Sequence, residues 1–184
     1  MLKRFFDFIF AIATIIIVFP LLICCWLLSS IDTTSNGLFI QTRIGQYGKA
    51  FRIYKLRTMN IKTHEISLIG GFLRKWKLDE LPQLVNVLKG DMSIVGPRPD
   101  ISGYYDMLKG EDRNILELKP GLTSMATVKY AKEEELLAKE SNSLQFNDTV
   151  IFPDKVRMNL EYYYKHSFFG DLKIIWRTMV ALFK

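Results

Sequence analysis

The chain has 184 residues, a net charge of +6 and 49% hydrophobic residues, so it is long enough for one domain with a sizeable core. The basic excess favours anionic partners: phospholipid head groups, nucleotides or nucleic acid. Two neighbouring cysteines, Cys24 and Cys25, and two histidines argue against a disulfide framework and a zinc site. An oxygen-liganded metal such as Mg²⁺ remains compatible with this composition.

An apolar run of 21 residues extends from Phe8 to Leu28 and is interrupted only by Thr14 and Pro20. It is long enough to cross a bilayer, which needs about 20 apolar residues. A signal peptide is disfavoured, because the run exceeds a usual h-region and no convincing small-x-small cleavage site follows. Basic residues flank the run on both sides, and positive charge tends to stay in the cytoplasm. The pattern favours equally a bent helix that enters and leaves by one face and a single span kinked at Pro20.

Residues 38 to 57 are predicted to form a β-hairpin, with strands Leu38–Arg43 and Phe51–Arg57 around a glycine-containing turn. Alternation along the second strand places Lys55 and Arg57 on the same face. Two basic groups that project together suit an anionic ligand, although a solvated strand face is the commoner case for exposed Lys and Arg.

Residues 68 to 90 show helical spacing that predicts two helices or one broken helix. Pro82 is tolerated only in a first turn, so the second helix must begin near Asp79 or Glu80. Two adjacent acids that follow basic residues such as Arg74 indicate a reaction centre for a phosphate-bearing substrate. The alternative is that Asp79 is only an N-cap.

Arg98 is bracketed by Pro97 and Pro99, which predicts a stiff, extended turn that holds one guanidinium in place. Arginine suits phosphate because its fork can donate two hydrogen bonds, and the alternative is an exposed surface loop. Further on, the pattern predicts an amphipathic helix over 103–119 and a polar loop over 142–153.

The C-terminal stretch Leu172–Lys184 is amphipathic, with Lys173, Arg177 and Lys184 on one narrow stripe and Trp176 among the apolar residues. Such a helix suits the lipid head-group region, and packing against the core is the alternative.

The segments that carry a family resemblance cover most of the chain: Lys3–Asp7, Phe39–Gly45, Tyr54–Met59, Phe72–Lys75, Leu78–Leu84, Asn86–Ser93, Val95–Pro99, Lys119–Thr123 and Asp171–Ile174. In this order they resemble the small monotopic phosphoglycosyl transferases of the bacterial sugar transferase family. The chain departs from the family pattern in Met125–Ala131, and at Asn159, where many members have an aspartate before a tyrosine (here Tyr162). These differences bear on the identity of the sugar more than on the reaction.

The resemblance implies a mainly helical α+β fold with a re-entrant membrane helix over residues 1–30, a small β-hairpin and amphipathic interfacial helices. Residues 31–184 would form the catalytic domain, ending in an amphipathic helix, on the cytoplasmic face of the bacterial inner membrane. The reaction it implies is transfer of a phospho-sugar from a UDP-sugar to a polyprenyl phosphate (undecaprenyl phosphate), as the first membrane step of surface glycan biosynthesis. The resemblance implies that the protein binds a phospholipid membrane and does not bind nucleic acid. The sequence does not indicate an oligomeric state.

Site residues follow from the same resemblance. It implies an Asp79–Glu80 dyad with a Mg²⁺ ion ligated by Asp79. Asp79 would attack the sugar-bearing phosphate and release UMP, while Glu80 would assist from a different direction, since adjacent helix residues point about 100° apart. Candidate phosphate holders are Lys55, Arg57, Arg74 and Arg98. The competing hypothesis is a non-catalytic membrane-anchored scaffold that binds nucleotide or lipid.

Overall fold

The structure is a computed structural model that describes residues 2–183. The chain divides into two compact units. The first contains the residues up to Arg43 together with Ala50–Ile94, and the second contains Ile44–Lys49 and the chain from Val95 onward.

The first unit contains a long helix, a hairpin and three shorter helical segments. In chain order its elements are α1 (Leu2–Asp32), β1 (Leu38–Ile44), β2 (Ala50–Leu56), α2 (Leu68–Lys75), a 3-10 helix (Leu78–Gln83) and α3 (Leu84–Lys89), with β3 (Ser93–Val95) crossing into the second unit. β1 and β2 pair in a two-stranded sheet, which confirms the predicted hairpin. A small core of Cys25, Leu56 and Leu73 joins α1, β2 and α2.

Helix α1 is the one helix among residues 2–183 that has the length and composition to cross a membrane. Most of its apolar side chains are exposed; Ile17, for example, retains 77% of its accessible surface. Water would not stabilise so much exposed apolar area, so the surface requires an apolar partner. Pro20 lies inside this continuous helix.

The N-terminal end of α1 is hydrogen-bonded to the rest of the first unit. The Arg4 guanidinium donates to the carbonyl oxygens of Val87 (2.5 Å) and Leu88 (3.0 Å). Asp7 is buried, and its carboxylate accepts from the Ser93 hydroxyl at 2.7 Å and from the Ile94 N–H at 3.2 Å. These contacts place the first turns of α1 against α3 and β3.

The C-terminal end of α1 is fastened to the same unit. The Ser29 hydroxyl lies 2.6 Å from the Arg57 carbonyl oxygen and 3.1 Å from that of Gly37. The Trp26 indole N–H donates to the Asn36 carbonyl oxygen at 2.7 Å. Both ends of the apolar helix are therefore held by the unit that carries the paired acids.

The second unit is mainly helical. After 3-10 helices at Tyr105–Met107 and Gly110–Glu117 come β4 (Gly121–Thr123), α4 (Met125–Lys129), α5 (Glu133–Leu137), α6 (Ser143–Phe146), a π-helix (Asn147–Ile151), α7 (Phe152–Lys165) and α8 (Phe168–Leu182). Its core cluster consists of Tyr105, Ile115, Leu116 and Val156.

The chain from Gly96 approaches Gly121 very closely. The Gly96 N–H donates to the Thr123 carbonyl oxygen at 3.0 Å, and the Gly121 N–H donates to that of Pro97 at 2.8 Å. A Cβ atom on Gly121 would lie 2.1 Å from the Gly96 nitrogen, so only glycine fits there. This pairing fixes the stretch that leads into Arg98.

One prediction for the second unit was right only in part and another was wrong. The predicted helix over 103–119 consists of two 3-10 helices, with Leu108 extended (ψ 143°) between them. The predicted polar loop over 142–153 is helical, because the Asn142 side chain caps α6 by accepting from the Gln145 N–H. Pro153 lies in the first turn of α7, where a missing N–H leaves no hydrogen bond unmade.

Helix α8 covers most of the C-terminal stretch that was predicted to be an amphipathic helix; Lys184, the third residue of the predicted basic stripe, lies outside the described residues. Ser167 caps its first turn by accepting from the Gly170 N–H at 3.1 Å. The helix buries Ile174 (6% exposed) and exposes Phe169 (81%) and Trp176 (70%). One stripe thus packs on the second unit while large apolar side chains face outward.

Candidate active site

The acidic pair lies on the 3-10 helix Leu78–Gln83, which the backbone of Lys77 introduces. Lys77 has a left-handed conformation (φ 54°, ψ 21°) that ends the preceding helical segment and reverses the chain. A non-glycine residue in this region costs free energy, on the order of 1 kcal/mol or more, and such residues cluster at functional sites. The Glu80 N–H then donates to the Lys77 carbonyl oxygen at 3.2 Å and closes the first turn.

Asp79 is not the N-cap of this helix. The cap position belongs to Lys77, no side chain caps the helix, and Asp79 lies within the first turn. Pro82 also lies within this short helix, so the predicted start near Asp79 or Glu80 is correct to within two residues. The capping role that sequence alone allowed for Asp79 is therefore absent.

The Asp79 side chain is 7% exposed, and its Oδ1 atom is buried without a hydrogen-bond partner among residues 2–183. Burial raises the pKa of Asp79 to about 6, and the neighbouring Glu80 contributes to the rise. Lys55, Lys77 and Arg74 oppose it by favouring the charged form. A buried carboxyl with a raised pKa and cations nearby is a candidate functional group.

Glu80 has a different environment from its neighbour. Its Oε1 atom lies 3.0 Å from Nζ of Lys55, and both side chains are mostly buried (11% and 18% exposed). This ion pair holds Lys55 beside the acidic helix. The two acids therefore have different surroundings, and their separate catalytic roles stay a prediction.

Strand β2 supplies Lys55, and a buried asparagine of α3 fixes that strand. The Asn86 side-chain amide donates to the Arg52 carbonyl oxygen at 2.7 Å and accepts from the Tyr54 N–H at 3.2 Å. Asn86 is fully buried. Asn86 was not among the predicted site residues, although an asparagine inside an apolar helical pattern is a signal for a specific hydrogen-bonding role.

Arg74 lies in the last turn of α2 and is oriented by a threonine. Its Nε donates to the Thr58 hydroxyl at 2.8 Å. Helix α2 can approach Thr58 because Gly70 has no side chain: a Cβ there would lie 2.1 Å from the Thr58 carbonyl oxygen. Neither Thr58 nor Gly70 was singled out from the sequence, because this proximity arises only in the folded chain.

The two basic residues predicted to share a strand face have different partners. Strand β2 ends at Leu56, so Arg57 follows it, and its guanidinium carbon lies 5.4 Å from the centre of the Phe39 ring. The Nη2 atom of Arg57 donates to the Leu38 carbonyl oxygen at 3.4 Å, while its buried Nε has no partner among the described residues. Arg57 thus sits beside β1, whereas Lys55 belongs to the acidic site.

Arg98 belongs to the second unit. With Pro97 and Pro99 it lines a small cavity whose other walls are Ile44, Gly45, Tyr105, Ile115, Leu116, Leu118 and Pro120. The stiff turn predicted from the bracketing prolines stays a prediction. The structure thus brings Lys55, Arg74, Asp79 and Glu80 together in the first unit, with Lys77 as a further cation that was not among the predicted site residues.

The acidic site fits a magnesium ion that takes one ligand from the protein and the others from water and substrate phosphates. Within residues 2–183 no three carboxylate, imidazole or thiol side chains converge on a metal position. Mg²⁺ often binds through one or two carboxylates together with water and substrate phosphates. Asp79 provides one buried carboxylate for such an ion.

The chain is similar in sequence to several bacterial proteins named as sugar-phosphate transferases. The chain is 30% identical over 195 residues to an Escherichia coli (strain K12) protein, UDP-glucose:undecaprenyl-phosphate glucose-1-phosphate transferase, with 97% of this chain and 39% of the relative aligned. It is 32% identical to a Caulobacter vibrioides protein of the same name, with 98% of this chain and 69% of the relative covered.

A third relative, "Exopolysaccharide production protein PSS" of Rhizobium leguminosarum bv. phaseoli, is 30% identical, with 98% of this chain and 94% of the relative covered. The chain therefore spans well under half of the Escherichia coli relative and nearly all of the Rhizobium one. The family model described as "Bacterial sugar transferase" matches residues 1–184. The chain belongs to the bacterial sugar transferase family.

Proposed function

We propose that the protein transfers a phospho-sugar from a UDP-sugar to a polyprenyl phosphate, with undecaprenyl phosphate as the acceptor. Three relatives from different bacteria are named for undecaprenyl-phosphate sugar-phosphate transfer, and each aligns with nearly the whole of this chain. The observation that carries the proposal is the buried, unpartnered Oδ1 atom of Asp79, set among Lys55, Arg74 and Lys77. A surface scaffold has no need of such a carboxylate.

The reaction proceeds in two steps. In the first, Oδ1 of Asp79 attacks the sugar-bearing phosphorus, the bond from that phosphorus to the oxygen of UMP breaks, and UMP leaves with the bonding electron pair. In the second, a phosphate oxygen of the polyprenyl phosphate attacks the same phosphorus and the acyl-phosphate bond to Asp79 breaks. Atoms and charge balance, and the carboxylate is regenerated.

Electrostatics explain why the site surrounds an acid with cations. A carboxylate and a diphosphate repel each other, and Lys55, Arg74 and Lys77 reduce that repulsion. Asp79 would hold a Mg²⁺ ion, which would supply further positive charge to the diphosphate when bound. Glu80 keeps Lys55 in place, and Arg57 and Arg98 are proposed to hold phosphates of the donor or the acceptor.

The membrane arrangement follows from α1. A re-entrant helix would leave the apolar middle of α1 in lipid and both ends at one face, as the positive-inside pattern favours. In support, Arg4 and Asp7 at one end and Ser29 at the other are hydrogen-bonded to the same unit. The active site then faces the cytoplasm at the inner membrane, with Phe169 and Trp176 of α8 in the head-group region.

Release of UMP in the absence of acceptor tests the chemistry. Purified protein mixed with Mg²⁺ and each of a set of UDP-sugars should release up to one UMP per active site with the correct donor. Asp79→Asn should release none, and Glu140→Gln, at an exposed position, should behave as the wild type. Release of UDP instead of UMP would show direct glycosyl transfer and refute the covalent mechanism. A scaffold would release neither.

Topology is tested separately with single cysteines. In a variant with Cys24 and Cys25 replaced by alanine, cysteines at the exposed positions Leu2 and Lys62 should react with an impermeant maleimide from the same side of sealed vesicles. Labelling from opposite sides would contradict the re-entrant helix and leave the reaction proposal standing.

A further inference from the structure

Gln83 ends the 3-10 helix that carries Asp79, and its side chain is also buried without a partner. The residue is 3% exposed, and its Nε2 atom has no hydrogen-bond partner among residues 2–183. A buried amide N–H costs free energy unless something accepts from it, and nearly all such groups in folded proteins are paired. An unpaired donor of this kind indicates an acceptor that arrives with a ligand.

Two of the three buried, unpartnered side-chain atoms among the described residues lie on this one short helix. They are chemically complementary: Oδ1 of Asp79 can only accept, or attack an electrophile, while Nε2 of Gln83 can only donate. The charges of Lys55, Lys77 and Arg74 near Asp79 favour an anion at its carboxylate. A phosphoryl group presents an electrophilic phosphorus for the first atom and non-bridging oxygens for the second.

We propose that Nε2 of Gln83 donates a hydrogen bond to a non-bridging oxygen of the phosphoryl group that Asp79 attacks. The inference rests on the proposed function and assigns a further catalytic residue to it. As the bond from Asp79 forms, charge accumulates on the non-bridging oxygens, and a fixed donor in a dry site stabilises that charge without reorganisation. The same hydrogen bond is available in the acyl-phosphate and in the second transfer, because the phosphoryl group stays in place.

Two replacements separate this role from a structural one. Gln83→Met keeps the length and the apolar stem but removes the donor. Gln83→Glu keeps the shape and places a negative charge beside the phosphoryl oxygens. Gln145→Met, at an exposed position in α6, is the matched control.

The measurement is the rate constant and amplitude of the acceptor-free UMP burst, together with the melting temperature of each variant. Loss of one such donor typically lowers the rate by about 100- to 1,000-fold. We expect a fall of that order for Gln83→Met, with an unchanged burst amplitude at long times. Its melting temperature should be equal to or above that of the wild type, since an unpaired amide is removed. Gln83→Glu should be slower still.

Several results would overturn the inference. A Gln83→Met burst at the wild-type rate would do so, as would a Gln83→Glu burst as fast as that of Gln83→Met. A loss of rate that only tracks a loss of folded protein would assign Gln83 to packing or to a buried water. If wild-type protein gives no UMP burst with any donor, the proposed function itself fails, which is a distinguishable result.

Discussion

Replacing Asp79 by asparagine is expected to abolish UMP release. It should also raise the stability of the protein relative to wild type, by an amount that grows as the pH rises. In the wild type, burial raises the pKa of this carboxyl from 3.8 to about 6. The folded protein therefore binds the proton more tightly than the unfolded chain does. Its stabilising contribution is complete below the ordinary pKa and is lost as the pH rises through about 6.

The magnitude follows from the size of the shift. A change from 3.8 to about 6 corresponds to about 3 kcal/mol at high pH, at 1.36 kcal/mol per unit. Roughly 1 kcal/mol of this is lost between pH 5 and pH 8, as the linkage relation gives for those two pKa values. For a chain of this size, the difference in melting temperature between Asp79→Asn and wild type should grow by roughly 2–4 °C over that interval.

Thermal unfolding in detergent micelles or nanodiscs at pH 5, 6, 7 and 8 measures this difference. Comparing pH values removes any constant cost of the new amide, which does not titrate. Glu140→Gln, at an exposed position, should show a pH-independent offset from wild type. A difference for Asp79→Asn that stays constant from pH 5 to pH 8 would refute the argument that burial destabilises the charged carboxylate.

Other predictions concern the surroundings of the acidic site. The pH of half-maximal UMP burst should move upward in Lys55→Met, because this replacement removes a charge that lowers the pKa of Asp79. It should move downward in Glu80→Gln, which removes a charge that raises that pKa. Shifts in the same direction for both variants would contradict this electrostatic account. Gly70→Ala should destabilise the protein by about 1–3 kcal/mol through overpacking and slow the burst, because the Cβ would collide with backbone. Gly71→Ala, which meets open space, should instead stabilise it by about 0.5–1 kcal/mol in denaturant unfolding.

Local patterns were sufficient to predict the elements that carry the site. The glycine turn and alternating strands predicted the hairpin, and Pro82 placed the start of the helical segment to within two residues of Leu78. Helix α1 followed from hydropathy alone, because a long apolar run needs no tertiary partner to be helical.

The site's supporting contacts were not predictable in the same way. Thr58 and Asn86 act through hydrogen bonds to Arg74 and to strand β2, which depend on residues 16 to 34 positions away. Nothing in the local sequence specifies such distances. The helical character of residues 142–153 was missed for a related reason: Ile151 is buried (1% exposed) in the second unit, and tertiary packing outweighed polar composition.

The attachment of α1 has a consequence for how the protein is made. Arg4 and its acceptor on Val87 are 83 residues apart, and Asp7 is 86 residues from Ser93. At roughly 5–20 residues per second, α1 leaves the ribosome about 4–17 s before its N-terminal partners are synthesised. During that interval the C-terminal end of α1 already has partners, such as Gly37 and Arg57 for Ser29, whereas the acceptors of Arg4 are still missing. Nascent chains arrested before Val87 should therefore leave the first turns of α1 unattached, and the position of the N-terminus is set late, by folding of the unit that carries Asp79.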